Sequence, residues 1–259
     1  MRELSLFSGA GGGLLGTALL GWRPVGYVEW DDYCQRVLAA RIKDGFLPDA
    51  PIFGDIQAFN RDGYATAYQG LVDVVTGGFP CQPFSVAGRR AGADDSRNMW
   101  PATIECIRLV RPRYAFLENV PGLLTSGYFG TILGDLAESG YDCRWRILSA
   151  AEVGAPHKRD RLWIVANATS QSRNECSFDT VWSRPRNGKE WKPRRQDFGI
   201  LPIGSNWEIY QPRICREDDG VSNRVDRFRA IGNGQVPAVV RAAWQLLTGD
   251  DNEIVQSHR

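Results

Sequence analysis

The fold is decided by the opening of the chain, Arg2-Glu3-Leu4-Ser5-Leu6-Phe7-Ser8-Gly9-Ala10-Gly11-Gly12-Gly13. A short apolar run reads as a strand over 2–7 and passes directly into a glycine-rich turn, after which 12–21 carries a helical pattern. Glycines let a backbone turn sharply and approach a ligand, and the helix N-terminus offers unpaired N–H groups. Twenty residues past Gly9, at the end of a second strand candidate over 24–29, stands Glu29. That is the spacing at which an acid accepts from ribose hydroxyls in nucleotide-binding α/β folds. Trp30 follows and could lie against an adenine face; Asp55-Ile56, near the end of a short third strand candidate, offers an acceptor for an adenine amino group and an apolar wall. Together these residues favour an adenosine-containing cofactor without separating NAD from S-adenosylmethionine. The chain carries no signature of a phosphate-gripping P-loop.

Outward from that turn the pattern continues. Strand candidates cover 71–76, 113–117, 143–149 and 161–166, and helical stretches cover 31–44, 98–110 and 131–139. Strands alternating with helices argue for a mostly parallel sheet covered by helices. Near Asn167 the composition changes, and until about Asn223 the chain is polar and rich in Arg, Pro and Trp, with little periodicity. An amphipathic helix over 238–247 follows, and the tail from Gly249 reads as frayed.

The 259 residues suit one large α/β domain or two small ones. Hydrophobic residues make up 43% and charged residues 24%, which excludes a disordered or collagen-like chain. Thirty-one Lys and Arg against 30 Asp and Glu leave a net charge of +1, so any nucleic-acid contact must come from a local patch. No apolar run approaches the roughly 18 residues needed to cross a bilayer, and the N-terminus lacks the layout of a secretory signal. A soluble protein of the cytoplasm, without membrane partners, is the expectation. Six cysteines without a C-x-x-C pair fit neither a zinc ribbon nor a disulfide framework, and two histidines leave little for a His-based metal site. No metal is expected.

The chemistry sits in three further segments. Gly77-Gly78-Phe79-Pro80-Cys81-Gln82-Pro83-Phe84-Ser85 follows an apolar strand, so Cys81 comes just past a strand's carboxyl end, the edge where open α/β sheets bind ligands. Most lone cysteines are small buried hydrophobes, as Cys34, Cys106 and Cys143 are expected to be. Cys81, in a polar, proline-framed turn, is not of that kind. Thirty-seven residues later, Tyr114-Ala115-Phe116-Leu117 ends in Glu118-Asn119-Val120-Pro121, a candidate general acid at the same edge. Finally, Arg159 and Arg161 precede the apolar run Leu162–Ala166 and would share one face of an extended segment.

In this order the pieces resemble the DNA cytosine-5 methyltransferase family, in particular its small bacterial and phage-type members. Phe7-Ser8-Gly9-Ala10-Gly11-Gly12 is similar to that family's S-adenosylmethionine turn and Glu29-Trp30 to its ribose and adenine contacts, with Asp55, Ile56 and Pro80 also at the cofactor. Pro80-Cys81-Gln82 matches the nucleophile motif, Glu118-Asn119-Val120 the acid motif, Arg159-x-Arg161 the Q-x-R-x-R motif, and Gly232-Asn233-x-x-Val236 the closing cofactor motif. His157 stands where the family usually has Gln, and the Arg-rich stretch before the closing motif is reduced to 221–227.

The resemblance implies a Rossmann-like methyltransferase fold: a mostly parallel seven-stranded sheet flanked by helices, with a small irregular target-recognition subdomain. The catalytic and cofactor-binding domain would comprise 1–166 and 224–248, the recognition subdomain 167–223, and the tail 249–259. It also implies methyl transfer from S-adenosylmethionine to carbon 5 of a cytosine flipped out of duplex DNA, leaving S-adenosylhomocysteine. Cys81 would add to carbon 6, Glu118 donate to N3, and Arg161 with Arg159 hold O2. Ser85, Arg89, Arg90 and Arg97 in a closing loop, and Arg184, Arg186, Arg194 and Arg195, are candidate DNA contacts. The setting implied is restriction–modification in a bacterial cytoplasm or from a phage, with any cognate endonuclease acting separately. RNA methylation by the same chemistry and a noncatalytic DNA-binding relative stand as alternatives.

Overall fold

A computed structural model of the chain describes residues 1–80, 98–169, 232 and 234–249. Seven strands form one sheet: β1 (Arg2–Leu6), β2 (Arg23–Val28), β3 (Ile52–Phe53), β4 (Val74–Gly77), β5 (Tyr114–Asn119), β6 (Tyr141–Leu148) and β7 (Arg161–Ala168). Their spatial order is β3-β2-β1-β4-β5-β7-β6. The first five strands are parallel, and β7 runs antiparallel to both β5 and β6. The strand order reverses between β1 and β4, so a crevice opens there, outside their carboxyl ends.

Over β4, β5 and β7 both faces of the sheet are buried, which is why these strands read as near-continuous apolar runs, whereas the edge strand β6 is largely exposed. On one face Leu4, Leu6, Val75, Ala115, Leu117, Leu162 and Ile164 pack with residues of α3 (Ile56–Arg61), α5 (Trp100–Val110) and α6 (Tyr128–Glu138). The alternate residues Val74, Phe116, Trp163 and Val165 face the other way, onto Trp22 and the Val239, Val240, Ala243 and Trp244 stripe of α7 (Pro237–Thr248). Tyr27 packs with Leu14 of α1 (Gly12–Ala18) and Leu38 of α2 (Asp32–Lys43). Period-two alternation along each strand divides the core in two.

The expected elements are present with shifted ends. The strand expected at 71–76 runs over Val74–Gly77, because Leu71 closes a turn and the Asp73 carboxylate accepts from the Arg2 backbone N–H at 2.6 Å. The strand expected over 143–149 starts earlier, at Tyr141, and the helix expected over 131–139 starts at Tyr128. The helix expected over 12–21 stops at Ala18. α3 and the four-residue α4 (Tyr64–Ala67) were not anticipated. Each is shorter than the window over which helical periodicity is legible. β7 extends two residues past the expected domain boundary at 166. Residues 170–223 of the expected recognition subdomain, and the tail beyond Gly249, lie outside the described residues. Among the described residues no helix is long and apolar enough to cross a membrane.

α1 and α7 meet at Gly16, where an added Cβ would stand 2.4 Å from the Cβ of Val240. Val240 is stiff at χ1 and cannot swing aside. Gly16→Ala gains up to about 1 kcal/mol of helix propensity, but overpacking outweighs it, costing about 1–3 kcal/mol. Urea unfolding should therefore show a lower midpoint for Gly16→Ala at unchanged slope; an equal or higher midpoint would mean that the α1–α7 contact is not tight.

Candidate active site at the carboxyl edge of the sheet

β1 leaves the sheet through Phe7, which takes φ +51°, and Gly9, at φ +54°, where a side chain would be strained although nothing lies within 4 Å of its Cβ position. Ser8 anchors the turn by donating from Oγ to the Ser5 carbonyl at 3.0 Å. Gly12 and Gly13 serve a different purpose. A Cβ on Gly12 would stand 2.8 Å from the carbonyl oxygen of Gln235, and one on Gly13 2.5 Å from its Oε1. These two positions are open so that the segment entering α7 can close on the turn.

The Glu29 carboxylate accepts from the backbone N–H of Gly9 at 2.6 Å and of Asp31 at 2.8 Å. Burial pushes this carboxyl above the usual carboxylate range, while the backbone donors pull the other way. Trp30 is 76% exposed beside it. Asp55 caps α3, its two oxygens accepting from Gln57 and Ala58, and Ile56 is buried in the core. A cleft at the crevice is lined by Phe7, Gly9, Ala10, Gly12, Gly78, Glu118 and Gln235, among others. Val236 caps α7 and packs on the α7-side core; Gly11 is the N-cap of α1, and Asn233 lies outside the described residues.

Glu118 is the penultimate residue of β5, within the strand rather than past it, and lies opposite Trp163 of β7. Arg161, two residues before Trp163, shares that face. Its Nε donates to Glu118 Oε1 at 2.8 Å. On the other oxygen, Gln235 Nε2 donates to Oε2 at 3.4 Å. Burial raises the Glu118 carboxyl above its ordinary range; Arg161, Gln235 and Arg159 oppose that and do not cancel it. Such a group holds its proton to higher pH than a free carboxyl and can donate it to a base.

Arg159 does not share an extended face with Arg161. β7 begins only at Arg161, and Arg159 takes φ +42°, so alternation does not apply across the pair. Its Nη2 instead donates to the carbonyls of Gly232 and Gly234, holding the segment that carries Gln235. His157 is exposed in the preceding loop.

The chain toward Cys81 is tied to the same place. Asn119 Nδ2 donates to the Phe79 carbonyl at 3.0 Å, and Pro80 O accepts from Met99. A Cβ on Gly78 would come within 2.7 Å of Glu118 Oε2, so a side chain there would displace that carboxylate. Cys81, Ser85, Arg89, Arg90 and Arg97 lie outside the described residues, as do Arg184, Arg186, Arg194 and Arg195. Cys34 and Cys106 are buried as expected; Cys143 is only partly so. Among the described residues no group of three or more His, Cys, Asp or Glu could hold a metal ion.

Two residues were not anticipated. Gln235 occupies an unspecified position of the closing motif. Glu3, 1% exposed on β1, accepts from Thr17 Oγ1 at 2.6 Å and Thr76 Oγ1 at 2.7 Å and lines the inner end of the cleft. A lone acid inside an apolar strand covered on both faces was the available signal.

Residues 1–198 match the model of the C-5 cytosine-specific DNA methylase family, and the chain belongs to that family. It is 32% identical over 211 residues to the type II methyltransferase M.NgoMIV of Neisseria gonorrhoeae, covering 80% of this chain and 62% of the relative. To the type II methyltransferase M.NaeI of Lentzea aerocolonigenes it is 34% identical over 255 residues, covering 96% and 58%. The chain thus spans about three fifths of the length of these relatives. Among solved structures, the Dnmt2 methyltransferase of S. pombe aligns with a TM-score of 0.51 at 23% identity, covering 65% of this chain and 51% of that one. The Entamoeba histolytica methyltransferase EhMeth aligns with a TM-score of 0.53 at 18% identity, covering 65% and 53%. Both likenesses speak to the fold: a Rossmann-like methyltransferase sheet.

Burial raises the Glu3 carboxyl from 4.5 to about 7, against the pull of the two hydroxyls. A carboxyl whose folded pKa lies above its unfolded one contributes stability that is complete below the unfolded value and is lost as pH rises through the folded one. Stability of the native protein should therefore include a decline between about pH 4.5 and about pH 7 that Glu3→Gln lacks. Urea midpoints measured across that range check it; parallel pH profiles for the two proteins would show that Glu3 does not titrate late.

Proposed function

We propose that this protein is a DNA (cytosine-5-)-methyltransferase that takes its methyl group from S-adenosylmethionine. The observation that carries the proposal is the largely but not fully buried Glu118, held by Arg161 and resting against Gly78, three residues before Cys81. Glu118 thus stands at the sheet edge toward which the chain leading to Cys81 runs, beside a glycine turn suited to an adenosine-bearing donor.

The cleft fits such a donor. Gly9 presents open space at the turn, and Glu29, at the end of β2, offers a carboxylate already within hydrogen-bonding reach of Gly9 N–H. Phe7, Ala10, Gly12 and Pro80, with Asn233 and Val236 of the closing motif, would complete the cofactor's surroundings; Trp30, Asp55 and Ile56 are assigned to its adenine end. When bound, S-adenosylmethionine supplies an electrophilic methyl group.

The chain's own residues do the rest. The Cys81 thiolate adds to carbon 6 of the cytosine, forming an S–C bond and pushing electrons from the 5,6 double bond into the ring. Glu118 gives its proton to N3 as charge builds there, and Arg161 stands as the cation beside the ring's O2. Carbon 5, now enamine-like, takes the methyl group. Water then takes the proton from carbon 5, N3 returns its proton to the Glu118 carboxylate, and the released electrons restore the 5,6 double bond and expel the Cys81 thiolate. A stacked base cannot meet this geometry, so the cytosine is flipped out at a cost of a few kcal/mol.

Ser85, Arg89, Arg90 and Arg97 are assigned to a closing loop over the duplex, and Arg184, Arg186, Arg194 and Arg195 to phosphate contacts that position without reading sequence. Residues 167–223 are assigned to target choice, with 1–166 and 224–248 as the catalytic and cofactor-binding part. Any cognate endonuclease acts as a separate protein.

Transfer of labelled methyl from S-adenosylmethionine should appear as 5-methylcytosine in duplex DNA and not in tRNA. Cys81→Ser should reduce that transfer below detection while the cofactor dissociation constant, read by calorimetry, stays within about threefold, since the covalent step and cofactor binding use different groups. Label in tRNA alone would move the substrate to RNA, near-native turnover by Cys81→Ser would remove the nucleophile assignment, and cofactor binding without transfer to either would identify a noncatalytic relative.

A further inference from the structure

Gln235 spans two parts of the site. Its Oε1 lies over Gly13, where a Cβ would come within 2.5 Å, and its Nε2 donates to Glu118 Oε2 at 3.4 Å. Its backbone carbonyl lies over Gly12. The segment is fixed from the opposite side by Arg159, whose Nη2 donates to the carbonyls of Gly232 and Gly234.

Resting on the methyltransferase reading, we propose that Gln235 is the positioning residue for Glu118, fixing the second carboxyl oxygen so that the acid faces the base. Arg161 holds Oε1 alone, and a carboxyl's terminal torsion is broad and roughly two-fold, so one donor leaves the group free to turn. A second donor on Oε2 removes that freedom. Because the amide is carried on the segment packed against Gly12 and Gly13, the acid is set only when the closing motif is seated on the cofactor turn. Gln235 stays neutral at every working pH. The charged groups facing Glu118 among the described residues are Arg161 on β7 and Arg159 before it, both cations that favour the ionised carboxylate. The Gln235 N–H favours the same form. Its loss therefore moves Glu118 further up, and an acid that must be protonated to act then works to higher pH.

Two variants test this. Gln235→Leu keeps most of the volume and removes the donor; Gln235→Glu keeps the shape and substitutes a second carboxyl. Carbon-13 NMR of the Glu118 carboxyl, which needs no turnover, should show a higher titration midpoint in Gln235→Leu than in the native protein and a higher one still in Gln235→Glu. In methyl transfer, kcat should fall roughly fivefold in Gln235→Leu, the cost of one hydrogen bond to a neutral carboxyl. The alkaline limb should move up. Identical Glu118 titrations in all three proteins, or a loss of kcat matched by an equal loss of cofactor affinity at unchanged pH dependence, would overturn the assignment. Native protein that transfers no methyl would overturn the methyltransferase reading instead, while the titration would still decide whether Gln235 sets Glu118.

Discussion

A largely buried carboxyl near the end of a central strand is costly to ionise unless a cation meets it, and Glu118 is met by Arg161 at 2.8 Å. That meeting depends on strand direction. β1, β4 and β5 are parallel and deliver the glycine turn, the chain toward Cys81 and Glu118 to one edge. A further parallel strand would begin at the opposite edge. β7 is antiparallel to β5, so its first residue, Arg161, arrives where β5 ends, and the loop before it brings Arg159 to the closing segment. The inverted strand is what supplies a parallel sheet's carboxyl edge with a cation from a strand start.

The other constraint is the reversal of strand order between β1 and β4. It opens the crevice, and the segment before α7 closes on one wall of it through Gly12 and Gly13. The inner end is polar, with Thr17 of α1 and Thr76 each donating to Glu3. Stability and function meet at this floor. The β1 strand that carries the turn also carries a buried acid whose hydroxyl partners come from α1 and β4.

Much of this was legible in the sequence, for definite reasons. Apolar runs bounded by helices gave strands on both sides of the glycine turn, because a sheet buried on both faces leaves an unbroken hydrophobic trace. Glu29 and Glu118 were legible because acids at strand ends interrupt that trace. The direction of β7 was not: periodicity has no sign, so Arg159-x-Arg161 suggested two cations on one extended face. The left-handed backbone at Arg159 instead sends the two side chains to different partners. Asp55 was legible as an acceptor, but the six-residue helix it caps was too short to see. Gln235 gave no signal because its role comes from a contact across 117 residues of chain. Family membership, which rests on residues 1–198, agrees with the motif order.

The central claim, covalent methyl transfer through Cys81 assisted by Glu118, is tested most directly by trapping. A duplex containing 5-fluorocytosine lets the thiolate add and the methyl group arrive, but fluorine cannot leave as a cation, so the double bond is not restored and the protein stays attached. Incubation with S-adenosylmethionine should yield a denaturation-resistant protein–DNA complex whose modified peptide contains Cys81, and no such complex when the methyl donor is omitted. A methylated duplex with no trapped complex, or a complex mapped to a different residue, would contradict it.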